Sequence, residues 1–247
     1  MSPPEFVADA RVLWRMLRGQ PRNGSHAERL QGFYAPQADR YDAFRARLLH
    51  GRADLIAGLK IAPGARVVEL GCGTGSNLEF LRDDQRSLLQ YQSIQLVDLC
   101  PALLNVARQR AREHANVEII EADATAWQAE HAVDYVYLSY ALSMMPDWRA
   151  VLRNAWSMLA PGGYLGIVDF HLPANRSRLS NRFWNTWFAH DGVHLSEHHL
   201  PALQALTQDT MIQQRSAPVP YLPGLRAPYY LFIGRKPSPA CTEAETD

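Results

Sequence analysis

The spacing of apolar residues changes near residue 60 of this chain. Before that point apolar positions recur at helical intervals, which predicts helices over residues 5–18, 25–35 and 37–59. The second of these opens with SHAE at residues 25–28, the pattern of a capping box. We therefore interpret residues 1–60 as an N-terminal helical cap that precedes the main domain.

From residue 65 onward, short apolar runs alternate with amphipathic stretches. Such runs are typical of buried parallel strands, and the stretches between them are typical of the helices that connect such strands. The predicted strands are RVVELG, SIQLVDL, NVEIIEA, VDYVYLSYAL, YLGIVDF, residues 209–217 and PYYLFIGRK. The sequence therefore predicts an α/β domain over residues 61–237, with a parallel sheet covered by helices on both faces, and a disordered tail over residues 238–247.

Three amphipathic stretches predict the connecting helices. They begin at Ser76, Pro101 and Asp147. We expect Asp147 to be an N-cap, because an aspartate there accepts a hydrogen bond from a free backbone N–H. The residues PGG at 161–163 are expected to separate the last of these helices from the strand YLGIVDF.

Composition and charge exclude several classes of protein. The chain has 247 residues, of which 47% are hydrophobic, so it can bury the core of one domain with additions. Lys+Arg and Asp+Glu each number 25, and this balance gives no reason to expect a nucleic-acid partner. Cys72, Cys100 and Cys241 are too far apart for a C-x-x-C metal or redox pair. With no long apolar run and no export signal, we expect a cytoplasmic protein without a metal site.

Three glycines stand in five residues at the end of the first predicted strand. In a parallel sheet, ligands bind at the carboxyl ends of the strands, where glycine lets a ligand approach the backbone. Gly71, Gly73 and Gly75 are therefore candidates for ligand contact. Asp98 ends the second predicted strand, where an acid can accept hydrogen bonds from ribose hydroxyls. The two features together indicate a nucleoside ligand.

The run ELGCGTG resembles motif I of the class I S-adenosylmethionine-dependent methyltransferases, and the resemblance extends over roughly residues 60–170. It implies a Rossmann-like, seven-stranded, mostly parallel sheet whose last strand is antiparallel, with S-adenosyl-L-methionine as cofactor. The third glycine comes one residue earlier than in the G-x-G-x-x-G pattern of dinucleotide enzymes. The residues that the resemblance places at the cofactor are Glu69, Gly71, Gly73, Gly75, Asp98, Leu99, Asp123, Ala124 and Tyr140.

Methyl transfer from a sulfonium depends mainly on positioning the reactants and excluding water. An amine acceptor must still lose a proton, which a Tyr, His or Asp side chain can accept. Many small-molecule relatives carry a histidine shortly after the fourth strand, whereas this chain has YALSMM at residues 140–145. The Asn-Pro-Pro-Tyr type of sequence, found in relatives that act on nucleobase or amide nitrogen, is also absent there. Nucleic acids and glutamine are therefore not expected substrates.

Three further segments resemble the N-methyltransferase of betaine-lipid synthesis, which trimethylates the amino group of diacylglyceryl homoserine. They are FYAPQADRYDAFRARLLHGR (33–52), WNTWFAHDGVHLSEHHL (184–200) and PYYLFIGRK (228–236). The resemblance implies aromatic faces for the quaternary ammonium and arginines for the carboxylate. The implied substrate residues are Tyr34, Tyr41, Arg45, Arg52, Trp184 and Trp187, with Tyr41 and Tyr140 placed at the transferred methyl group. Each is also compatible with a structural role, in the core or on a solvated helix face.

A lipid substrate requires contact with the membrane surface. In the predicted helix 5–18, apolar residues fall on one face while arginines recur at spacings of three and four, so this helix can lie in the interface or pack on the domain. We expect peripheral contact with the inner membrane face and a separate enzyme that makes the homoserine lipid. Two alternatives stay open: a soluble amine or amino-acid N-methyltransferase, distinguished by vesicle binding, and a non-catalytic binding module of the same fold, distinguished by methyl transfer.

Overall fold

The computed structural model describes residues 24–34, 47–82, 87–172, 184, 193–220 and 224–238. Its helices are α1 (His26–Tyr34), α2 (Arg52–Leu59), α3 (Leu78–Leu81), α4 (Pro101–Ala111), α5 (Trp148–Met158) and α6 (His199–Gln204). Its strands are β1 (Arg66–Leu70), β2 (Ser93–Asp98), β3 (Val117–Glu121), β4 (Val133–Ser139), β5 (Leu159–Phe170), β6 (Thr210–Pro218) and β7 (Arg226–Arg235). Short 3-10 turns occupy Leu88–Gln90 and Leu142–Met144.

The seven strands form one sheet in the order β3-β2-β1-β4-β5-β7-β6. β7 runs antiparallel to both of its neighbours, and the other neighbouring pairs are parallel. The strand order reverses between β1 and β4, which creates a switch point at the carboxyl ends of these two strands. The predicted Rossmann-like sheet with an antiparallel last strand is confirmed.

Helices cover both faces of the sheet, as the sequence predicts. Apolar side chains of α2, α3 and α4 pack on the face that carries Val67 and Tyr137, and we call this face A. Those of α5 and α6 pack on the opposite face, which carries Val68 and Ile167 and which we call face B. Burying both faces explains why most strands read as nearly continuous apolar runs. No helix in the described ranges is both long and apolar enough to cross a bilayer.

The part of the N-terminal cap that the structure describes lies against the start of α4. The predicted capping box is confirmed, because Ser25 N donates to Glu28 Oε2 at 2.6 Å and Glu28 N donates to Ser25 Oγ at 3.3 Å. Leu30 of α1 packs with Cys100, and Gln31 Oε1 accepts a hydrogen bond from Ala102 N at 3.1 Å. Helix α1 is thereby fixed beside the switch point. The predicted helix 5–18 lies outside the described residues.

The prediction of one helix over residues 37–59 is wrong at Gly51, where the backbone has a φ of 81°. A Cβ at this position would stand 2.7 Å from the Tyr229 ring, so glycine is needed for the turn to approach β7. Helix α2 begins only at Arg52. Residues 37–46 lie outside the part of the chain that the structure describes.

The boundaries of β5 also differ from the prediction. The strand begins at Leu159, directly after α5, and includes the residues PGG that were expected to lie before it. Gly162 N donates to Lys236 O at 2.9 Å, and Lys236 N donates to Gly163 O at 2.8 Å. Pairing with the end of β7 therefore extends β5 through the glycines. The predicted N-cap is confirmed, because Asp147 Oδ1 accepts from Ala150 N at 3.0 Å.

Candidate cofactor and active site

A cavity of about 320 Å³ opens at the carboxyl ends of β1, β2 and β4, at the switch point of the sheet. All but two of the residues predicted to contact the cofactor line it. They are Gly71, Gly73, Asp98, Leu99, Asp123, Ala124 and Tyr140. Leu30 of α1 lines the cavity from the cap side, so α1 helps to enclose it.

The glycine turn is held against β2 by its own backbone. Gly71 N donates to Val97 O at 2.8 Å, and Gly73 N donates to Asp98 Oδ2 at 2.8 Å. Gly71 has a φ of 74°, and a Cβ there would stand 2.4 Å from Ala141 Cβ. Glycine at position 71 therefore allows the turn to touch the loop after β4, which closes the cavity from that side.

Two predicted cofactor residues lie outside the cavity wall. Gly75 faces α4, where a Cβ would stand 3.2 Å from Leu96 Cδ1 and 3.3 Å from Ala107 Cβ. Its small size lets α4 pack closely on the sheet, and Gly75 is not exposed to the cavity. Glu69 is buried on face A, where its carboxylate accepts from Asn77 Nδ2 at 2.6 Å and from Tyr137 Oη at 2.9 Å.

Asp98 connects the turn to the start of α4. Its Oδ2 accepts from Gly73 N, and its Oδ1 accepts from Cys100 N at 2.9 Å. Asp98 also lines the cavity, where a carboxylate oxygen can accept a hydrogen bond from a ribose hydroxyl. The two backbone bonds also fix the direction of the carboxylate, which orients it for a ligand at the switch point.

The far wall of the cavity is formed after β3. Asp123 Oδ1 accepts from Thr125 N and from Thr125 Oγ1, both at 2.8 Å, which shapes the turn. Asn154 of α5 donates from Nδ2 to Ala124 O at 2.9 Å and so holds this wall in place. The sequence did not identify Asn154, because the spacing of residues along a helix does not show which distant group a buried polar side chain bonds.

Tyr140 stands between the cavity and the ends of β4 and β5. Its backbone has a φ of 53°, which is uncommon for a non-glycine residue. The conformation is held by three contacts: Tyr140 N donates to Val168 O at 2.7 Å, Oη donates to His50 O at 2.7 Å, and the ring packs edge-on against Phe170 at 4.6 Å. A strained backbone persists only where surrounding contacts hold it in place, so the Tyr140 ring has a fixed position in the cavity wall.

The loop after β4 is fixed by a buried carboxylate of β5. Asp169 accepts from Ser143 N at 2.9 Å, from Ser143 Oγ at 2.6 Å and from Phe170 N at 2.7 Å. Burial raises the pKa of Asp169 to about 6, and these hydrogen bonds to the carboxylate oppose the rise. Met144 and Met145, which follow Ser143, line the cavity, although the sequence did not identify them as cavity residues.

Burial also raises the pKa of Glu69, to about 7, although Asn77, Tyr137 and nearby Arg52 favour the charged form. Arg52 is itself buried, and its Nη1 donates to Ser76 Oγ at 3.0 Å and to Asn77 Oδ1 at 3.3 Å. The structure thus places Arg52 against the segment that follows the glycine turn. Its predicted contact with substrate stays a prediction.

The other predicted substrate residues are placed as follows. Trp184 is 1% exposed and belongs to the apolar cluster of face A that also contains Tyr140. Tyr34 ends α1, and its side chain lies outside the described residues, as do Tyr41, Arg45 and Trp187. Within the described part of the chain, Tyr140 and Trp184 thus belong to the same apolar cluster.

The residues present fit the predicted cofactor. Gly73 gives backbone access at the turn, Asp98 offers carboxylate oxygens to ribose hydroxyls, and Ala124 presents a small side chain where a planar base needs space. In the described part of the wall, the charged residues are Asp98, Asp123 and Asp147, all of them acidic. A negative wall favours a ligand that carries positive charge, as a sulfonium does.

Comparison with known proteins places this geometry in a family. The model of the family described as "Methyltransferase domain" matches residues 38–210. Trans-aconitate 2-methyltransferase of Variovorax paradoxus is 32% identical over 132 residues, which are 52% of this chain and 46% of that protein. The chain spans about half the length of such relatives. The 2-phytyl-1,4-naphtoquinone methyltransferase of Thermosynechococcus vestitus is 27% identical over 219 residues, 80% of this chain and 96% of that protein.

A solved structure shows the same fold. Phosphoethanolamine N-methyltransferase 2 of Haemonchus contortus, in complex with phosphomonomethylethanolamine and S-adenosylhomocysteine, superposes with a TM-score of 0.68. The match covers 88% of this chain and 61% of that chain at 15% sequence identity. At this identity the likeness concerns the fold alone.

Proposed function

We propose, since this chain belongs to the methyltransferase domain family, that it transfers methyl groups from S-adenosyl-L-methionine to the amino nitrogen of diacylglyceryl homoserine. Family membership confirms the class of protein that the sequence predicts and agrees with the predicted cofactor. The identity of the acceptor is the finer part of the proposal. It rests on the charge of the cavity and on the resemblance of residues 33–52, 184–200 and 228–236.

The charge of the cavity wall is the observation that carries the proposal. Asp98, Asp123 and Asp147 line the cavity, and no arginine or lysine is among its lining residues in the described ranges. This arrangement favours a cationic donor and an amine acceptor, both of which carry positive charge at neutral pH. A polycarboxylate such as trans-aconitate needs several cationic partners. The single carboxylate of the homoserine headgroup needs only one, for which we propose Arg45 or Arg52, and the substrate in the name of those relatives is not part of this proposal.

The residues of the chain have simple tasks in this reaction. When bound, S-adenosyl-L-methionine supplies an electrophilic methyl group on a positively charged sulfur. Asp98 and the backbone at Gly73 hold and orient the nucleoside part. The fixed ring of Tyr140 separates the donor from the acceptor side, and Leu30 and Met144 exclude water from the cavity. Positioning and water exclusion are the main sources of acceleration for such a transfer.

Trimethylation places additional demands on the acceptor side. Each round adds a methyl group, and the last fixes a positive charge on nitrogen, which an aromatic face stabilises by about 0.5 to 2 kcal/mol. Tyr140 offers such a face, and Tyr34, Tyr41 and Trp187 are the further aromatic residues that we propose for this task. We also propose that the predicted helix 5–18 contacts the inner membrane face, where the lipid substrate is presented.

The proposal is tested by incubating the full chain with methyl-labelled S-adenosyl-L-methionine and diacylglyceryl homoserine in mixed micelles. We expect mono-, di- and trimethylated lipid, resolved by mass spectrometry. Label in free homoserine but not in the lipid would instead indicate a soluble amine N-methyltransferase. Binding of S-adenosylhomocysteine without transfer to either acceptor would indicate a non-catalytic module. Deletion of residues 1–20 should weaken sedimentation with anionic vesicles, most clearly at low salt.

A further inference from the structure

Two buried polar atoms close to Tyr140 have no hydrogen-bond partner in the described part of the chain. They are His50 Nε2 and Ser139 Oγ. Buried polar atoms are nearly always paired, and an exception requires an explanation such as a ligand or a catalytic role. His50 and Ser139 lie far apart in the sequence, and both adjoin Tyr140, because His50 O accepts from Tyr140 Oη and Ser139 directly precedes Tyr140 in the chain.

The turn at residues 49–51 carries His50 to the edge of the sheet. His50 O accepts the hydrogen bond from Tyr140 Oη at 2.7 Å, and Leu49 O accepts from Arg52 Nε at 3.2 Å. The backbone of Gly51 lies directly against the Tyr229 ring of β7. His50 is therefore anchored beside Tyr140, near the carboxyl ends of β4 and β5.

Ser139 reaches the same place from the sheet. It is the last residue of β4 and is 7% exposed. Alternation along the strand puts its side chain on face A, the face that also carries Tyr137 and Phe170. Its neighbour Tyr140 lines the cofactor cavity. An imidazole and a hydroxyl thus flank the residue that separates donor from acceptor.

The reaction on an amine requires a proton acceptor at this place. An ammonium has no lone pair, so one proton must leave before nitrogen attacks. The carboxylates of Asp98 and Asp123 belong to the turns of the cofactor side, and Tyr140 Oη donates to His50 O. A histidine side chain is suitable because the unprotonated nitrogen of a neutral imidazole can accept a proton.

The other unpartnered imidazole is less suitable. His199 belongs to α6 on face B, where its ring packs edge-on against Trp148 at 4.6 Å. Burial lowers the pKa of His199 to about 4, which makes it a poor proton acceptor.

We propose that His50 is the proton acceptor of the methyl-transfer reaction and that the Ser139 hydroxyl orients the acceptor amine. This inference rests on the proposed function. The ammonium gives one proton to His50 Nε2, the nitrogen lone pair forms the new N–C bond, and the electron pair of the broken C–S bond stays on sulfur. The imidazolium then releases its proton to water before the next round. The ionisable groups around the turn are Arg47 and Arg52 of its own segment, Tyr140 after β4 and Tyr229 of β7.

The test compares His50→Gln with His131→Gln, a matched change of an exposed histidine at the opposite end of β4. We expect His50→Gln to bind S-adenosylhomocysteine within twofold of the wild type while turnover at pH 7.5 falls about 100-fold, the usual loss for a general base. Turnover of His50→Gln should recover at higher pH, where more of the amine is already deprotonated. His131→Gln should match the wild type throughout.

A second readout does not depend on turnover. In the complex with S-adenosylhomocysteine, addition of diacylglyceryl homoserine in micelles should move the His50 imidazole NMR signal, assigned from its absence in His50→Gln, to the imidazolium position. Equal turnover of His50→Gln and wild type, or an unmoved His50 signal in an active chain, would overturn the inference alone. Wild-type chain that binds S-adenosylhomocysteine but methylates no amine would overturn the proposed function and the inference with it.

Discussion

The two sides of the switch point differ in how their buried polar groups are satisfied. At the ends of β1, β2 and β3, which we call the donor half, Glu69, Asn77 and Asp98 all make hydrogen bonds within the chain. We call the carboxyl ends of β4 and β5, with the adjoining first half of β7, the acceptor half. Its described part contains several buried atoms without a hydrogen-bond partner: His50 Nε2, Ser139 Oγ, Tyr230 Oη and both ring nitrogens of His199. Two further unpartnered atoms, Gln90 Nε2 and Asn116 Oδ1, lie at the opposite edge, before β2 and β3.

This difference indicates that the donor half is complete before any ligand binds, whereas parts of the acceptor half require a polar partner. The two buried carboxylates differ in a related way. Glu69 is held by the side chains of Asn77 and Tyr137, while Asp169 is held largely by backbone N–H groups and Ser143. Both carboxylates fix a loop that borders the cavity, and both lie at the carboxyl ends of their strands.

The largest effect is expected in the donor half, for Gly73→Val. Gly73 has a φ of 56° and lines the cavity, so valine adds methyl groups to the ligand space and strains the backbone. We expect affinity for S-adenosylhomocysteine to fall more than about 100-fold, which corresponds to roughly 2.7 kcal/mol. Calorimetric titration measures it.

Gly64→Val is the matched control for this change. Gly64 also has a positive φ, of 79°, but a Cβ there meets nothing within 4 Å, and it lies before β1 at the opposite edge of the sheet. The control should lose some stability and keep its affinity for S-adenosylhomocysteine. Similar affinity losses in both variants would show that backbone strain, and not the cavity, is responsible.

An effect on stability is expected for Glu69→Gln, measured as the free energy of unfolding against pH. The pKa of Glu69 is raised from 4.5 to about 7 in the folded chain, so the folded state binds the extra proton between these values. Glu69 therefore lowers the stability of the wild type as pH rises from about 4.5 to 7. Glutamine removes this loss, and the variant should gain about 3 kcal/mol relative to wild type across the window.

Above pH 7 the difference between Glu69→Gln and wild type should stay constant. Urea denaturation at pH 5, 6, 7 and 8 gives the four free energies that are needed. A difference that does not change with pH would mean that Glu69 is ionised throughout this range in the folded chain. The donor half would then contain a buried negative charge on Glu69 instead of a protonated carboxyl group.

The smallest effects are expected for two buried tyrosines, of which Tyr137 bonds to a donor-half carboxylate and Tyr230 lies in the acceptor half. The hydroxyl of Tyr137 donates to Glu69, whereas the hydroxyl of Tyr230 has no partner in the described part of the chain. Tyr137→Phe should destabilise the chain by about 1 to 3 kcal/mol, because it removes a hydrogen bond to a buried carboxylate. Tyr230→Phe should be neutral or slightly stabilising, since it removes an unsatisfied polar atom. Urea denaturation of both variants at pH 8 provides the comparison.

Much of the fold was predictable from local sequence. Continuous apolar runs marked the strands, ELGCGTG marked the turn after β1, and Asp147 marked the start of α5. The same turn located Gly73, and Asp98 followed from its place at the end of β2. These features depend on residues close together in the chain, where periodicity and turn chemistry carry the information.

What was not predicted depends on contacts between distant segments. The break at Gly51 follows from the ring of Tyr229, and the position of Gly75 follows from packing of α4 on the sheet. The contact of His50 with Tyr140 joins the cap to the end of β4. The contacts of Arg52 with Ser76 and Asn77 also join distant segments, and its predicted contact with substrate stays a prediction. A single sequence has no local pattern that predicts such contacts, because nothing in the residues adjacent in sequence marks either partner.

One calorimetric series tests most directly whether the donor half alone binds the cofactor. In it, S-adenosylhomocysteine is titrated into wild type, Asp98→Ala and His50→Gln. We predict that Asp98→Ala binds about 10- to 100-fold more weakly, since it loses a carboxylate that is held by Gly73 and Cys100 and offered to the ligand. His50→Gln should bind within twofold of wild type. Unchanged affinity in Asp98→Ala, or an equal loss in His50→Gln, would contradict the division into a donor half and an acceptor half.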